Sequence, residues 1–222
     1  MNTSHHGFLI HSRKYKETSS IVYIFSSTKG IQSLIFKGSY SNKNKFKFSL
    51  FNEYLIAYND KYNFPYLSKF EISHEFSFDK KYYLLGLYIN ELLYKTIREG
   101  YDFEPIYESY KSFLLNLSSS KYSTKRLALI FEKDLIENLG YGLHLPEHLK
   151  ILSKKSYTYD LNEGFKQIDS QQNKYSLTGF TLEKFFSNTL TDNNAIDILR
   201  LIIHKIIKHH YPDVELMGNK LL

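Results

Sequence analysis

The hydrophobic period of this chain changes once, near residue 79, and that change limits its possible folds more than any other feature. Before it lie five short runs rich in β-branched and aromatic residues: Phe8–His11, Ile21–Phe25, Ile31–Phe36, Phe51–Tyr58 and Tyr66–Ser73. Turn-like clusters such as Thr28-Lys29-Gly30, the Gly38 to Lys47 stretch and Asn59 to Pro65 separate them. Leu34 and Phe36 alternate with Ile35 and Lys37, the two-residue period of a pleated strand. After it, Leu85, Ile89, Leu92, Leu93 and Ile97 share one helical face, with Gly100 as a stop. Pro105 opens a helix carrying Ile106, Tyr110, Phe113, Leu114 and Leu117. A third helix runs from about Thr124 through Leu127, Ile130, Phe131, Leu135 and Leu139 to Gly140, and Asn194–His209 carries a wide isoleucine-rich stripe. A helix-to-helix loop is expected at Ser118 to Ser120, and residues 146–178 are polar, with Tyr157, Tyr159 and Phe165 marking a small ribbon.

The predicted fold class is therefore α+β, a five-stranded β-barrel over residues 1–77 and a mainly α-helical domain over 78–222 with a small cysteine-free insert at about 146–178. A barrel of that size fits the oligonucleotide-binding (OB) fold or an SH3-like barrel, and the pattern does not separate the two. No stretch approaches the roughly 18 apolar residues of a membrane helix, and the N-terminus lacks the apolar core of a signal peptide. The expectation is a cytoplasmic protein with no membrane partner. Zero cysteines exclude disulfides, thiolate metal sites and cysteine nucleophiles.

Charge is distributed unevenly. Residues 1–50 hold Arg13, Lys14, Lys16, Lys29, Lys37, Lys43, Lys45 and Lys47 against the single acid Glu17, a local net of +7, whereas the other 172 residues come to −1. Such a patch attracts polyanions, nucleic acid above all; solvated lysines are the competing reading. From Lys29 to Lys47 five lysines occur with no acid, and Tyr40 and Phe46 stand among them. Lysines tracking phosphates and rings accepting bases suit a single strand. Catalytic patterns are missing: G-x-S-x-G, a P-loop and a dinucleotide-binding glycine pattern do not occur. Adjacent pairs His5/His6 and His209/His210 cannot ligate from one helical face, and Pro146 interrupts the His144/His148 spacing, so no metal and no cofactor are expected. A binding protein without enzymatic turnover is expected, with a peptide- or subunit-binding adaptor as the alternative.

Three strings, in order, resemble the bacterial recombination mediator family RecO. Gly7 to Tyr40 contains His11-Ser12-Arg13, Glu17-Thr18-Ser19 and Lys37-Gly38; Leu85 to Ile97 contains Tyr88-Ile89-Asn90-Glu91-Leu92-Leu93; Phe131 to Leu145 contains Phe131-Glu132 and Leu139-Gly140-Tyr141-Gly142. The resemblance resolves the barrel as an OB fold and implies a protein that binds single- and double-stranded DNA and anneals complementary strands. It also implies action with RecR, and in many bacteria RecF, to load RecA onto strands coated by single-stranded DNA-binding protein (SSB), in association with the nucleoid. Arg13, Lys14, Lys16, Lys29, Lys37, Tyr40, Lys43, Lys45 and Lys47 are the expected DNA contacts. Among the matched positions, Asn90 and Glu91 are expected to hold their helix to its neighbours and Gly140 to cap one.

The chain departs from that pattern in three places. Many relatives have a four-cysteine zinc site after the G-Y-G string, which this chain lacks. Leu129 and Ile130 stand where relatives often place a basic residue before Phe131-Glu132, with Lys125 and Arg126 one turn earlier. The family's terminal glycine pair and most of its charge are gone from Tyr211 to Leu222. The SSB tail ends in acidic residues, an apolar pair and a free carboxylate, so its expected receptor here is Lys125, Arg126 and the apolar stripe through Ile130 and Leu135.

Overall fold

The computed structural model describes residues 2–40, 48–59, 65–98, 102–119, 122–146, 149–169 and 175–216. Lys43, Lys45, Phe46, Lys47, Gly100, Ser120 and His148, each singled out in the sequence, lie outside these residues, as do residues 217–222 of the divergent C-terminus. Packing divides the chain into two compact units, Met1–Lys121 and Tyr122–Glu215.

The first unit holds β1 (Asn2–Tyr15), β2 (Ser19–Ser26), β3 (Gly30–Phe36), β4 (Glu53–Asn59), β5 (Leu67–His74), α1 (Lys80–Thr96) and α2 (Phe103–Ser119). The strands form one antiparallel sheet in the order β3-β2-β1-β4-β5. β1 is longer than its apolar run because two partners share it. Asn2 to Phe8 pair with β4 and Phe8 to Tyr15 with β2, and the register slips between Leu9 and His11. The sheet curls around Leu9, Val22, Ile24, Leu34, Phe36, Tyr54, Ile56, Tyr58 and Leu67. It does not close: β3 and β5 meet at one parallel bridge, Ile35 to Tyr66, where the Ile35 N–H donates to the Pro65 carbonyl at 2.9 Å.

Both helices of this unit pack on the outer face of the sheet. Phe8 and Phe25, paired across β1 and β2, meet the rings of Tyr107 and Tyr110 of α2 at centroid distances of 4.9 to 6.2 Å. Asn90 is buried and uses both ends of its amide, donating to the Ile10 carbonyl at 2.9 Å and accepting from the Tyr110 hydroxyl at 2.5 Å. Glu53, buried at the start of β4, accepts from the Tyr107 hydroxyl at 2.5 Å and from Lys111 at 3.0 Å. Burial, and after it the Glu53 carboxylate, push the Tyr107 phenol upward and keep it a donor.

The second unit holds α3 (Thr124–Asn138), β6 (Ser156–Asp160), β7 (Gly164–Ile168), β8 (Leu177–Thr178), α4 (Gly179–Phe186) and α5 (Asn193–His210). α3 starts where the Ser123 hydroxyl accepts from the Arg126 N–H. It stops at Gly140, whose φ of 83° lets the Tyr141 N–H reach the Ile136 carbonyl at 2.8 Å and the Gly140 N–H reach that of Glu137 at 3.0 Å, a Schellman closure. The cysteine-free insert forms the small three-stranded sheet β7-β6-β8. It is held by the buried rings of Tyr157 and Phe165, with the Leu152 N–H donating to the Tyr157 hydroxyl at 2.8 Å. Gly179 is required there, since a Cβ would stand 2.1 Å from the Leu152 carbonyl oxygen.

α3 and α5 are joined by a buried ion cluster. Arg200 grips the fully buried Glu132 carboxylate with its Nε at 3.0 Å from one oxygen and a terminal nitrogen at 2.8 Å from the other, and His204 Nε2 lies 3.1 Å from the latter. Burial alone would raise the carboxyl, but the His204 hydrogen bond and the Arg200 charge hold it down at about 2, from an ordinary 4.5. A depressed folded-state value contributes stability above pH 4.5 that is lost as pH falls from there toward 2. Glu132→Ala takes away the carboxylate that the buried Arg200 and His204 share, so urea unfolding at neutral pH should show a loss of about 3–5 kcal/mol, and the difference from wild type should shrink as the pH is lowered through that window.

Candidate nucleic-acid interface

One end of the five-stranded sheet gathers most of the basic residues that the sequence singles out. Tyr15 pairs with Ser19 across the β1–β2 turn, and Ser20 pairs with Phe36 at the end of β3, so Arg13, Lys14, Lys16 and Lys37 arrive at the same edge. Gly38, at φ 68°, turns the chain leaving β3, and the Tyr40 N–H donates to the Thr18 carbonyl at 3.5 Å, which brings Tyr40 beside the β1–β2 turn. All five side chains are exposed. Arg13, Lys14, Tyr15, Ile21 and Ile35 line a cavity of about 320 Å³.

The cations lie over rings. The Lys37 ammonium sits 3.9 Å from the centre of the Tyr66 ring, and that of Lys16 lies 5.3 Å from the ring of Tyr15. No carboxylate among the described residues pairs with Arg13, Lys14, Lys16 or Lys37; the carboxylate pairs join other cations, Lys95, Lys111, Lys125, Lys166 and Arg200. One of the expected contacts separates from this group. Lys29 is exposed in the β2–β3 turn at the opposite end of the eight-residue β2, about 23 Å away at ~3.3 Å per residue. The expected contacts Lys43, Lys45 and Lys47 lie outside the described residues.

Three aromatic residues that are not among the expected contacts extend the basic edge along β1. His11 pairs with Tyr23 across β1 and β2, and Tyr94 of α1 meets both, with ring centroids 5.5 Å and 4.9 Å away. The available signal was that Tyr94 stands off the apolar stripe Leu85, Ile89, Leu92, Leu93 on an otherwise polar flank of its helix. Burial lowers the His11 imidazole, and the charge of Arg13 lowers it further. Both causes favour the neutral imidazole, so His11 offers a ring more than a charge.

The second unit presents a notch between α3 and the end of α4, lined by Arg126, Ile130, Lys133, Phe185 and Asn188. Of the three residues expected to hold the tail, Arg126 and Ile130 line this notch. Lys125 is not in its lining, and its ammonium is 2.7 Å from Asp197. Its place is taken by Lys133, seven residues after Arg126 and so on the same helical face, whose ammonium lies 3.0 Å from the Asn188 side-chain oxygen and 5.2 Å from the Phe185 ring centre. The notch is closed to about 10 Å³, room for one water-sized group, so a larger occupant has to displace side chains. Among the described residues no group of three or more histidines and carboxylates is placed to hold a metal ion.

Lys16 is one of three non-glycine residues in the left-handed region among the described residues, at φ 57°. A side chain there costs about 1 kcal/mol that glycine does not incur. Lys16→Gly should therefore raise the urea-unfolding free energy by up to about 1 kcal/mol while weakening oligonucleotide binding, a trade-off that a purely solubilising lysine would not show.

Comparison with known proteins places the whole chain in one group. Residues 1–76 match the sequence model described as recombination protein O N terminal, and residues 77–217 match recombination protein O C terminal. The boundary between the two matches precedes α1, although α1 and α2 pack on the sheet within the first unit. Curated relatives include the DNA repair protein RecO of Polynucleobacter necessarius subsp. necessarius, 27% identical over 97% of this chain and 93% of the relative. The DNA repair protein RecO of Hamiltonella defensa is 27% identical over 93% of this chain and 91% of its own length. That of Psychromonas ingrahamii is 29% identical over 78% of each.

Proposed function

The chain belongs to the recombination protein O (RecO) family, and from that membership we infer a DNA repair and recombination mediator that binds DNA through the basic end of its sheet. The observation that carries this reading is the set Arg13, Lys14, Lys16 and Lys37, exposed, without carboxylate partners, and interleaved with Tyr15, Tyr40 and Tyr66. Structural ion pairs elsewhere in the protein use up their charges; these four keep theirs for a polyanion. Their action is binding without turnover: single and double strands are held by phosphate contacts, and complementary single strands anneal. Lys29 joins that path only for a strand that runs the length of β2. In this reading the protein works with RecR, and where present RecF, to load RecA onto SSB-coated strands in the cytoplasm at the nucleoid. No described helix is long and apolar enough to cross a membrane.

The notch in the second unit supports capture of the SSB tail. An acidic peptide ending in an apolar pair needs cations beside an apolar floor, and Arg126 and Lys133 flank Ile130 and Phe185. Replacing Arg126 with Ala and Lys133 with Met should weaken binding of a tail peptide while leaving affinity for bare DNA unchanged. Lys125→Ala, which only frees Asp197, should leave both unchanged.

The main test is a salt titration with strand annealing. Each phosphate-contacting cation replaced by Ala at positions 13, 14, 16 and 37 should lower the log–log salt slope for a single strand by about 0.7, with a similar loss of affinity across base sequences. Annealing of complementary strands, bare and SSB-coated, should slow in step. An unchanged slope in the quadruple variant would remove this end of the sheet from the DNA site.

A further inference from the structure

A second cavity, of about 350 Å³, opens between β1 and α1 next to the basic edge. Ile10, Leu50 and Leu87 contribute apolar surface to it, and His11 and Tyr94 contribute rings. Its size falls in the ~300–1,000 Å³ range of small-ligand sites. Two further facts narrow the occupant. The one acid and the one base in the lining, Glu91 and Lys95, are paired at 2.7 Å, so the cavity offers no net positive charge to a phosphate. Arg13 lies two residues from His11, on the same face of β1 and about 7 Å along the strand, where a phosphate can be met instead. An uncharged, planar, largely apolar group covalently tied to an anion satisfies both conditions.

We propose that this cavity receives one unpaired nucleobase of a single strand whose backbone is held at Arg13 and Lys14. The proposal rests on the nucleic-acid reading above and adds to it a means of telling strands apart. Paired bases in a duplex are stacked and cannot enter without being flipped out at a cost of a few kcal/mol. Exposed cations alone grip any phosphate backbone, so they cannot supply that distinction. Tyr94, 39% exposed and anchored edge-on against Tyr23, is the ring placed to stack on an entering base.

The test uses the full chain with three ligands: a single strand carrying a fluorescent adenine analogue whose emission falls on stacking, the same strand with abasic positions, and a duplex. Wild type should quench the analogue. Tyr94→Ala should bind the single strand roughly tenfold more weakly and lose the quenching, with abasic-strand and duplex affinities unchanged. Tyr94→Phe, which keeps the ring, should behave as wild type. Leu87→Trp, which adds bulk to the cavity lining while keeping Tyr94, should repeat the selective loss, and melting temperatures of all variants establish that each is folded. Unchanged quenching and affinity in both Tyr94→Ala and Leu87→Trp would overturn the proposal, as would an equal loss on the abasic strand. If Arg13→Ala and Lys37→Ala also leave single-strand binding untouched, the nucleic-acid reading of this end of the sheet falls with it.

Discussion

The first unit depends on one buried amide. Asn90 is the point at which α1, β1 and α2 are joined, and an apolar residue in its place would take away the donor to the Ile10 carbonyl and the acceptor of the Tyr110 hydroxyl. A buried polar group left without a partner costs about 1–3 kcal/mol, so α1 has one acceptable height and rotation on the sheet. That placement carries outward. Tyr94 lies one turn beyond Asn90 on the same side of α1, and His11 is the residue after the carbonyl that Asn90 binds. The rings that meet at the surface are thus aligned by a hydrogen bond made in the interior.

Charge is used differently in the two units. In the second, Arg200 and Glu132 are spent on joining α3 to α5, Lys125 is matched by Asp197, and Lys166 by Glu163. Buried pairs of that kind fix geometry at a desolvation cost and leave little field outside. In the first unit Glu53 absorbs Lys111 in the same way, yet at the sheet edge Arg13, Lys14, Lys16 and Lys37 have no carboxylate partner among the described residues. Part of the sequence excess over residues 1–50, the charge of Arg13, Lys14, Lys16 and Lys37, is thus a surface property at one end of β1, β2 and β3.

Much of this architecture could be read from local pattern. The apolar runs locate all five strands, and the stripe through Ile198, Leu199, Ile202 and Ile203 locates α5 almost to the residue. What escaped were consequences of non-local pairing. The first half of β1, Asn2 to His6, is polar and carries no strand signal; it is extended because β4 lies against it. Lys29 belongs to the same basic stretch in sequence but is carried to the far end of the sheet by the length of β2. Lys125 and Lys133 are equally basic in sequence, and only the positions of Asp197 and Asn188, over fifty residues away, decide which one faces the notch. Glu132, matched through the family string, is engaged by Arg200 and His204 in the interior.

The incomplete seam of the sheet gives the basic edge a mechanical side. β3 and β5 are tied by a single bridge, and the two residues of the clearest cation–ring contact stand on opposite sides of it, Lys37 after β3 and Tyr66 before β5. A ladder of several hydrogen bonds would make that seam rigid; one bond lets it breathe at low local free energy. A polyanion lying across Lys37 and Tyr66 would act as a clasp on the open ring, and by linkage any ligand that prefers the shut form must tighten it. Strand binding and barrel closure are then two readings of one equilibrium, with the amide of Ile35, whose acceptor is the carbonyl of Pro65, as its natural reporter.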